Sequence, residues 1–310
     1  MSRIFDALQR SGTEQSGVEY PDMVSVANAL FEGPRGQEAV DESAPVAVAE
    51  LLAETKSIPA PDVVSQTPQP EKATPSSSFP SIGVSFTPTS RLVFFTHPES
   101  LAAEKFRFLG VRMRNFRQSR PLKKVLITST IPAEGKSVVA VNLAGVLARR
   151  KERVLLIDGD LRRPVLAQHF GLGTLAGLAE WLQSGAQTPS NIYHLAGLGL
   201  WIMPAGSPPA NPLELMQSGR LSALLQQIHD SFDWIIVDSP PLLPLADTTV
   251  WARVTDGTLL VTREGATKKG ALQHGLEMIK KSDLLGVVLN GRSDKDHEDY
   301  YRRYKPPASK

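Results

Sequence analysis

Five residues between positions 136 and 238 could together handle a phosphorylated ligand: Lys136, Ser137, Asp158, Asp160 and Asp238. The first two lie in Lys124-Val-Leu-Ile-Thr-Ser-Thr-Ile-Pro-Ala-Glu-Gly-Lys-Ser137. Val125 to Ile127 reads as a buried strand, Pro132 and Gly135 mark a loop, and Val138 to Arg149 reads as a helix. Such a helix start turns unpaired N–H groups and the positive end of its dipole towards an anion. Lys136 adds a mobile point charge for outer phosphates, and the Ser137 hydroxyl is a hard ligand suited to Mg²⁺. The phosphate-loop pattern wants glycine five residues before Gly135, and Thr130 stands there. Gly-Lys-Ser alone also fits an ordinary strand–turn–helix.

The carboxylates come next. Arg153-Val-Leu-Leu-Ile-Asp158-Gly-Asp160-Leu-Arg162-Arg163-Pro164 carries an apolar run, Val154 to Ile157, that ends in two acids two residues apart. Such acids can simply cap the following segment. Beside a phosphate loop they can instead face Mg²⁺ and the γ-phosphate, because ligands of open α/β sheets sit at the carboxyl ends of the strands. Asp233-Trp-Ile-Ile-Val-Asp238-Ser-Pro-Pro241 repeats the pattern. Its strand, Trp234 to Val237, ends in an acid placed like the magnesium-shell aspartate of a Walker B strand.

These groups need a scaffold that brings several strand ends together. Further apolar runs at Leu200–Met203, Thr258–Val261 and Val287–Leu289 read as buried strands. Helical patterns fall at Pro98–Arg117, within 172–182, at Leu213–Gln217, at Leu221–His229 and at Lys269–Lys281. Strands alternating with helices predict an α/β fold of the P-loop NTPase type: a mostly parallel sheet with helices on both faces.

Composition bounds the rest. The chain has 310 residues, 41% of them hydrophobic, and no cysteine, which excludes disulfides and thiolate metal sites. No apolar run reaches the length of a membrane span, and the first residues lack a signal-peptide stretch, so a cytoplasmic setting is expected. Residues 1–90 hold 12 Asp/Glu and 5 Lys/Arg, whereas the remainder holds 20 and 29. The basic excess suits phosphate ligands or an anionic surface, and it forms no stripe with interleaved aromatics, so nucleic acid is not expected as a partner. Residues 41–90 carry eight prolines and nine serines and read as a linker. Short apolar faces at Met1–Arg10 and Asp22–Gly33 read as docking helices that fold on a partner, or as frayed chain. The expected organisation is a largely disordered acidic region over 1–90, a catalytic domain over 91–295 and a tail over 296–310.

Taken in order, Ser129–Ser137, Leu155–Pro164 and Ile235–Pro241 resemble the Walker A, A′ and B motifs of the bacterial tyrosine kinases that govern capsule and exopolysaccharide synthesis. The resemblance covers about residues 92–304 and includes Ala205–Leu215, Asp256–Val261 and Gly286–Gly291. The family tolerates a residue other than glycine at the Thr130 position. It implies ATP and Mg²⁺ as cofactors, with Lys136 on the β/γ-phosphates, Ser137, Asp158 and Asp238 organising the metal, and Asp160 as base towards the attacking tyrosine. The nucleotide set implied is Thr130, Ala133, Glu134, Gly135, Lys136, Ser137 and Val138, with Arg162, and with Asn290 placed there from its position at the ligand edge.

The tail Asp296-His-Glu-Asp-Tyr300-Tyr301-Arg-Arg-Tyr304 holds three of the five tyrosines and is too polar to be core. By the resemblance, Tyr300, Tyr301 and Tyr304 are phosphoacceptors presented to a neighbouring subunit. The family also assembles rings, with an octamer as one option, through a Glu-x-x-Arg-x-x-Arg helix. Glu104 and Arg107 match it, Gly110 stands at the last position, and Arg112 follows two residues on. The resemblance is to the stand-alone form, held at the inner membrane face by a partner. The implied partners are the tail of a membrane-anchored polysaccharide co-polymerase as activator and a cognate tyrosine phosphatase. Two rival readings share the nucleotide loop: a partition or septum-site ATPase, and a non-catalytic ATP-binding assembly protein. The partition type wants Lys-Gly-Gly before its Gly-Lys, where this chain has Thr130-Ile-Pro-Ala-Glu.

Overall fold

The computed structural model describes residues 79–86, 91–186, 188–243, 245–280 and 283–291. The two N-terminal helical patterns and Tyr300, Tyr301 and Tyr304 lie outside the described residues. Within them, eight strands form one sheet in the order β1-β4-β5-β3-β6-β2-β7-β8. The strands are β1 (Ser81–Ile82), β2 (Lys124–Ser129), β3 (Val154–Asp158), β4 (Tyr193–Leu195), β5 (Leu200–Met203), β6 (Trp234–Asp238), β7 (Gly257–Arg263) and β8 (Leu284–Asn290). All neighbours pair in parallel except β4 with β5.

The central strands are apolar on both faces because both are covered. Val125 and Ile127 of β2, Val154 and Leu156 of β3, and Trp234 and Ile236 of β6 point into one core layer. That layer is closed by α2 (Leu101–Ser119) and α3 (Lys136–Ala148). Leu126, Leu155, Ile157, Ile235 and Val237 point the other way. There they meet α5 (Leu178–Ser184), α6 (Pro212–Gln217), α7 (Arg220–Gln227) and α8 (Asp247–Val254). The pleat sends alternate side chains to opposite layers, and each fully buried Val, Leu or Ile contributes roughly 1.5–3 kcal/mol. Helix α9 (Lys269–Met278) sets Leu272 and Leu276 against Leu260 and Val287. Two short helices, α1 (Val93–Thr96) and α4 (Leu166–His169), complete the set.

Acidic residues at the amino ends of strands pin the edge opposite the ligand edge. Asp233 accepts from Arg153 N at 2.8 Å and from its Nη2 at 2.9 Å. Asp256 accepts from the N–H groups of Lys123 and Lys124 at 2.9 and 2.8 Å.

Three expectations change. Residues 79–86, assigned above to the linker, join the folded body. His194 N donates to Pro80 O at 2.9 Å and Ala196 N to Ile82 O at 2.9 Å, while Ile82, Val84 and Phe86 pack on the core. The period-two pattern of those three residues was hidden by the surrounding prolines and serines. The helix expected at Lys269–Lys281 stops at Met278, where Ile279 turns extended at φ −96° and ψ 128° and drops into the core. Helix α8 and strand β4 were not anticipated.

Gly110 explains the departure in the assembly motif. It faces α3, where a Cβ would stand 2.5 Å from Val146 Cγ1. Position 110 is a close helix–helix crossing in this chain and leaves no room for arginine. Glu104 and Arg107 pair with each other at 2.6 Å, and Arg107 also donates to Pro98 O at 2.7 Å. Arg112 is exposed.

Candidate active site

The ligand edge is built where β2, β3 and β6 lie side by side, so that their carboxyl ends converge. Register places Asp158 directly beside Asp238. Beyond β2 the chain forms the phosphate loop and enters α3 at Gly135, whose φ is +93°. Only glycine takes that conformation without strain, and a Cβ there would also strike the Asn290 amide. Ala133 takes φ +66° as well, a cost of about 1 kcal/mol held by the surrounding structure. Thr130 does not need positive φ. The glycine missing from the motif is therefore not required here, and the Thr130 side chain packs at the Gly275 surface of α9 instead.

The loop is braced by its own acid. Glu134 is 1% exposed, accepts from Ile131 N at 2.9 Å, and is bonded by the Thr267 hydroxyl. Asn290 Nδ2 donates to Glu134 O at 2.8 Å and Arg263 Nη1 to Ala133 O at 3.3 Å. Two residues expected at the nucleotide are thus spent on the loop: the Glu134 carboxylate closes it, and Asn290 holds its backbone.

Lys136 reaches across to the carboxylates. Its Nζ lies 3.2 Å from Asp160 Oδ2, 3.5 Å from Asp238 Oδ1 and 3.3 Å from the Ser137 hydroxyl. Burial pulls the ammonium pKa down, but Asp238 and then Asp160 outweigh it and hold it above the usual lysine value. Asp158 and Asp238 are fully buried. Burial, and then the Asp238 charge, push the Asp158 carboxyl up to about 7. Burial likewise raises Asp238, against the pull of Lys136. His169, in α4, is held below its usual value by burial and by Lys136, so it is neutral at pH 7.

Asp158 and Asp160 both cap the chain that follows them, at the edge where they meet Lys136 and Asp238. Asp158 Oδ2 accepts from Val165 N at 3.1 Å and Leu166 N at 3.0 Å, and its Oδ1 from Asp160 N at 3.3 Å. Asp160 Oδ1 accepts from Arg163 N at 3.0 Å, which leaves Oδ2 to Lys136. Asp238 Oδ2 is buried and has no protein partner. A buried carboxylate oxygen without a donor is costly, and its position fits a cation ligand. The donors are all hard oxygens, as Mg²⁺ requires. Among the described residues no group of three or more His, Cys, Asp or Glu could form a metal cage by itself.

Arg162 was expected at the nucleotide and is engaged elsewhere. Its Nε and Nη2 bind Asp247 Oδ2 and Oδ1 at 2.7 and 3.1 Å. Asp247, Thr248 and Trp251 of α8 were missed. An acid opening the apolar pattern Val250, Trp251, Val254 was the available helix signal.

Fold and site together define a P-loop NTPase. Residues 122–295 match the ParA family model, described as the NUBPL iron-transfer P-loop NTPase. The chain is 34% identical over 211 residues to the tyrosine-protein kinase YwqD of Bacillus subtilis, covering 67% of this chain and 89% of that protein. It is 30% identical over 197 residues to the tyrosine-protein kinase Etk of Escherichia coli K12, covering 63% of this chain and 27% of Etk. Among solved structures, the chimerical protein CapA2B2 superposes with a TM-score of 0.62 at 27% identity, covering 71% of this chain and 98% of that one. The Escherichia coli Etk kinase domain superposes with a TM-score of 0.62 at 29% identity, covering 66% and 82%. The chain belongs to the bacterial tyrosine kinase family and is a protein-tyrosine kinase. The family assignment selects the kinase over the partition ATPase and the non-catalytic protein, both of which share the nucleotide loop. Among the described residues no helix is long and apolar enough to cross a membrane.

Proposed function

We propose that the chain transfers the γ-phosphate of ATP to Tyr300, Tyr301 and Tyr304 of a neighbouring copy, and thereby regulates exopolysaccharide or capsule polymerisation and export. The observation that carries this reading is Lys136 Nζ lying between Asp160 Oδ2 at 3.2 Å and Asp238 Oδ1 at 3.5 Å. A cation meant for phosphate and an acid meant for a proton share one small, water-poor space.

When triphosphate enters, its outer oxygens replace the carboxylates as partners of Lys136, and Asp160 is released to accept a proton. The N–H groups at the start of α3 and in the loop from Ala133 to Val138 hold the β-phosphate. The tyrosine oxygen forms a bond to the γ-phosphorus as the bond from that phosphorus to the β–γ bridging oxygen breaks. ADP carries away that electron pair, and the phenol proton passes to Asp160. A phenol of pKa near 10 is a poor nucleophile without such a base. Ser137 and Asp238, with Asp158 behind them, would hold Mg²⁺, which when bound neutralises charge on the β- and γ-phosphates.

Each modified tyrosine gains roughly −1.5 to −2 charges, enough to loosen a ring of subunits by repulsion. The motif resemblance supports a cytoplasmic catalyst held at the membrane by the tail of a membrane-anchored co-polymerase, and reset by a tyrosine phosphatase. The test is to incubate the full chain with Mg-ATP and the activating tail, then probe for phosphotyrosine. Phosphotyrosine is expected in the wild type and lost in Asp160→Asn. In the Tyr300/301/304→Phe variant it is expected to be lost while ATP turnover persists. Steady phosphate release with no phosphotyrosine in the wild type would sink the proposal. So would a phosphorylated sample with the same oligomeric mass as the Phe variant, for the ring-loosening part.

A further inference from the structure

Helix α8 grips both acid-bearing segments. The Trp251 indole N–H donates to Gly159 O at 3.1 Å, between Asp158 and Asp160. The Asp247 carboxylate, 1% exposed, takes the Arg162 guanidinium at 2.7 and 3.1 Å, two residues past Asp160. The Thr248 hydroxyl donates to Pro240 O at 2.8 Å, two residues past Asp238. Gly159 N donates to Asp238 O at 2.7 Å and joins the two segments directly.

We propose that α8 is a bracket that sets the position of Asp160 relative to Asp238 and Lys136, and that the Arg162–Asp247 pair is its positioning contact. The inference rests on the reading of Asp160 as base, and adds to it the residues that aim that base. Asp160 stands on a turn outside the sheet, so β3 alone does not fix its side chain. Two anchors, Trp251 at Gly159 and Asp247 at Arg162, flank it on the same chain segment. The same eight-residue helix holds the Pro240 turn, so a shift of α8 moves both acids together. Asp247 explains itself poorly as a fold-stabilising group. A buried carboxylate whose salt-bridge partner is a half-exposed arginine contributes little net stability, because desolvation offsets the attraction. Its two-point fork does give the arginine one orientation, which a point charge could not.

The arrangement also reassigns the arginine of the Asp-x-Asp-x-Arg segment. Arg162 acts through Asp160 and makes its bonds to α8, so its removal should disturb the chemical step more than nucleotide binding. A misplacement of about 1 Å at a reacting group can cost roughly 10²-fold in rate.

The experiment compares full-length wild type, Arg162→Gln, Arg162→Lys, Asp247→Asn, the Arg162→Gln/Asp247→Asn double variant, Trp251→Phe and Asp160→Asn. It measures kcat and KM for ATP in phosphotyrosine formation, and the affinity for a fluorescent ATP analogue with Mg²⁺. Arg162→Gln and Asp247→Asn are each expected to lower kcat by about 10- to 100-fold, with nucleotide affinity within about threefold. The double variant should lose no more than the worse single one, because both break one contact. Arg162→Lys should recover part of the rate, and Trp251→Phe should fall between wild type and Arg162→Gln. If Asp247→Asn does not fold, Arg162→Gln decides the matter, since its side chain is half exposed. The bracket is overturned if Arg162→Gln keeps wild-type kcat, if its loss lies in nucleotide affinity, or if the two single losses multiply. Loss of activity in Asp160→Asn with a wild-type rate in Arg162→Gln overturns the bracket alone. Activity in Asp160→Asn overturns the base assignment and the bracket with it.

Discussion

Lys136 Nζ sits 3.2 Å from Asp160 Oδ2, although the two are 24 positions apart in the chain. The lysine assigned to phosphate in the proposed reaction is paired, without ligand, with the acids that the same proposal assigns to metal and proton. Replacing Lys136 by Met should therefore do two things. Phosphotyrosine formation should fall by at least about 10²-fold, as for loss of one preorganised charge at a transition state. The ligand-free protein should also lose on the order of 3–5 kcal/mol in urea unfolding, because Asp160 and buried Asp238 are left without their cation. A Lys136→Met protein as stable as wild type would contradict the second expectation.

Asp238→Asn should behave in the opposite way. Its Oδ2 is buried without a protein partner, so a neutral amide removes a desolvation cost of about 1–3 kcal/mol. We expect the ligand-free melting temperature to rise by a few degrees. Addition of Mg-ADP should then add little, where in the wild type ligand at 100 times its Kd adds about 2.7 kcal/mol. Thermal scans of both proteins with and without Mg-ADP measure this directly.

Restoring the assembly motif at position 110 should fail. Gly110→Arg drives a side chain into Val146 and should cost about 1–3 kcal/mol, seen as a melting temperature lower by several degrees. Combining it with Val146→Ala opens space at the crossing and should return part of the loss. Undiminished stability in the single variant would show that α2 can move away from α3.

Glu180 carries a pH-dependent part of the stability. Burial raises its carboxyl, but the N–H groups of Ser207 at 2.8 Å and Gly177 at 2.7 Å outweigh that and hold it below the usual value. A depressed carboxyl stabilises the fold above its unfolded pKa, and that contribution is lost as pH falls through the folded value. Glu180→Gln should cost about 1 kcal/mol at pH 7, given partial exposure, and the difference from wild type should shrink as pH falls below the ordinary glutamate range. Urea unfolding at pH 7 and at pH 3.5 provides the comparison.

The two acid-ended strands were legible in the sequence. Val154–Asp158 and Trp234–Asp238 are short apolar runs that stop at a carboxylate, and β-structure of this kind is set by local pattern and burial. Gly135 was legible for the same reason, since a helix start after a tight loop needs a residue free to take φ +93°. Helix α8 was not. It follows Pro240-Pro241, spans only Asp247–Val254, and packs Val250, Trp251, Ala252 and Val254 on the core, too little periodicity to stand out. The protein partners of the Glu134 carboxylate and of Arg162 were not legible, because a side chain beside a motif can face the ligand or turn into the protein, and spacing does not distinguish the two.

By itself the sequence determined the chemical inventory: one lysine, one serine and three aspartates, each at or just past the end of a strand or at the start of a helix. Those positions depend on neighbours within a few residues. Tertiary structure decided which of them meet. Parallel strands pair through backbone bonds that are indifferent to side-chain identity, so nothing local places β6 between β2 and β3. That insertion sets Asp238 beside Asp158 and within reach of Lys136. It also carries α8 to where Asp247 holds Arg162.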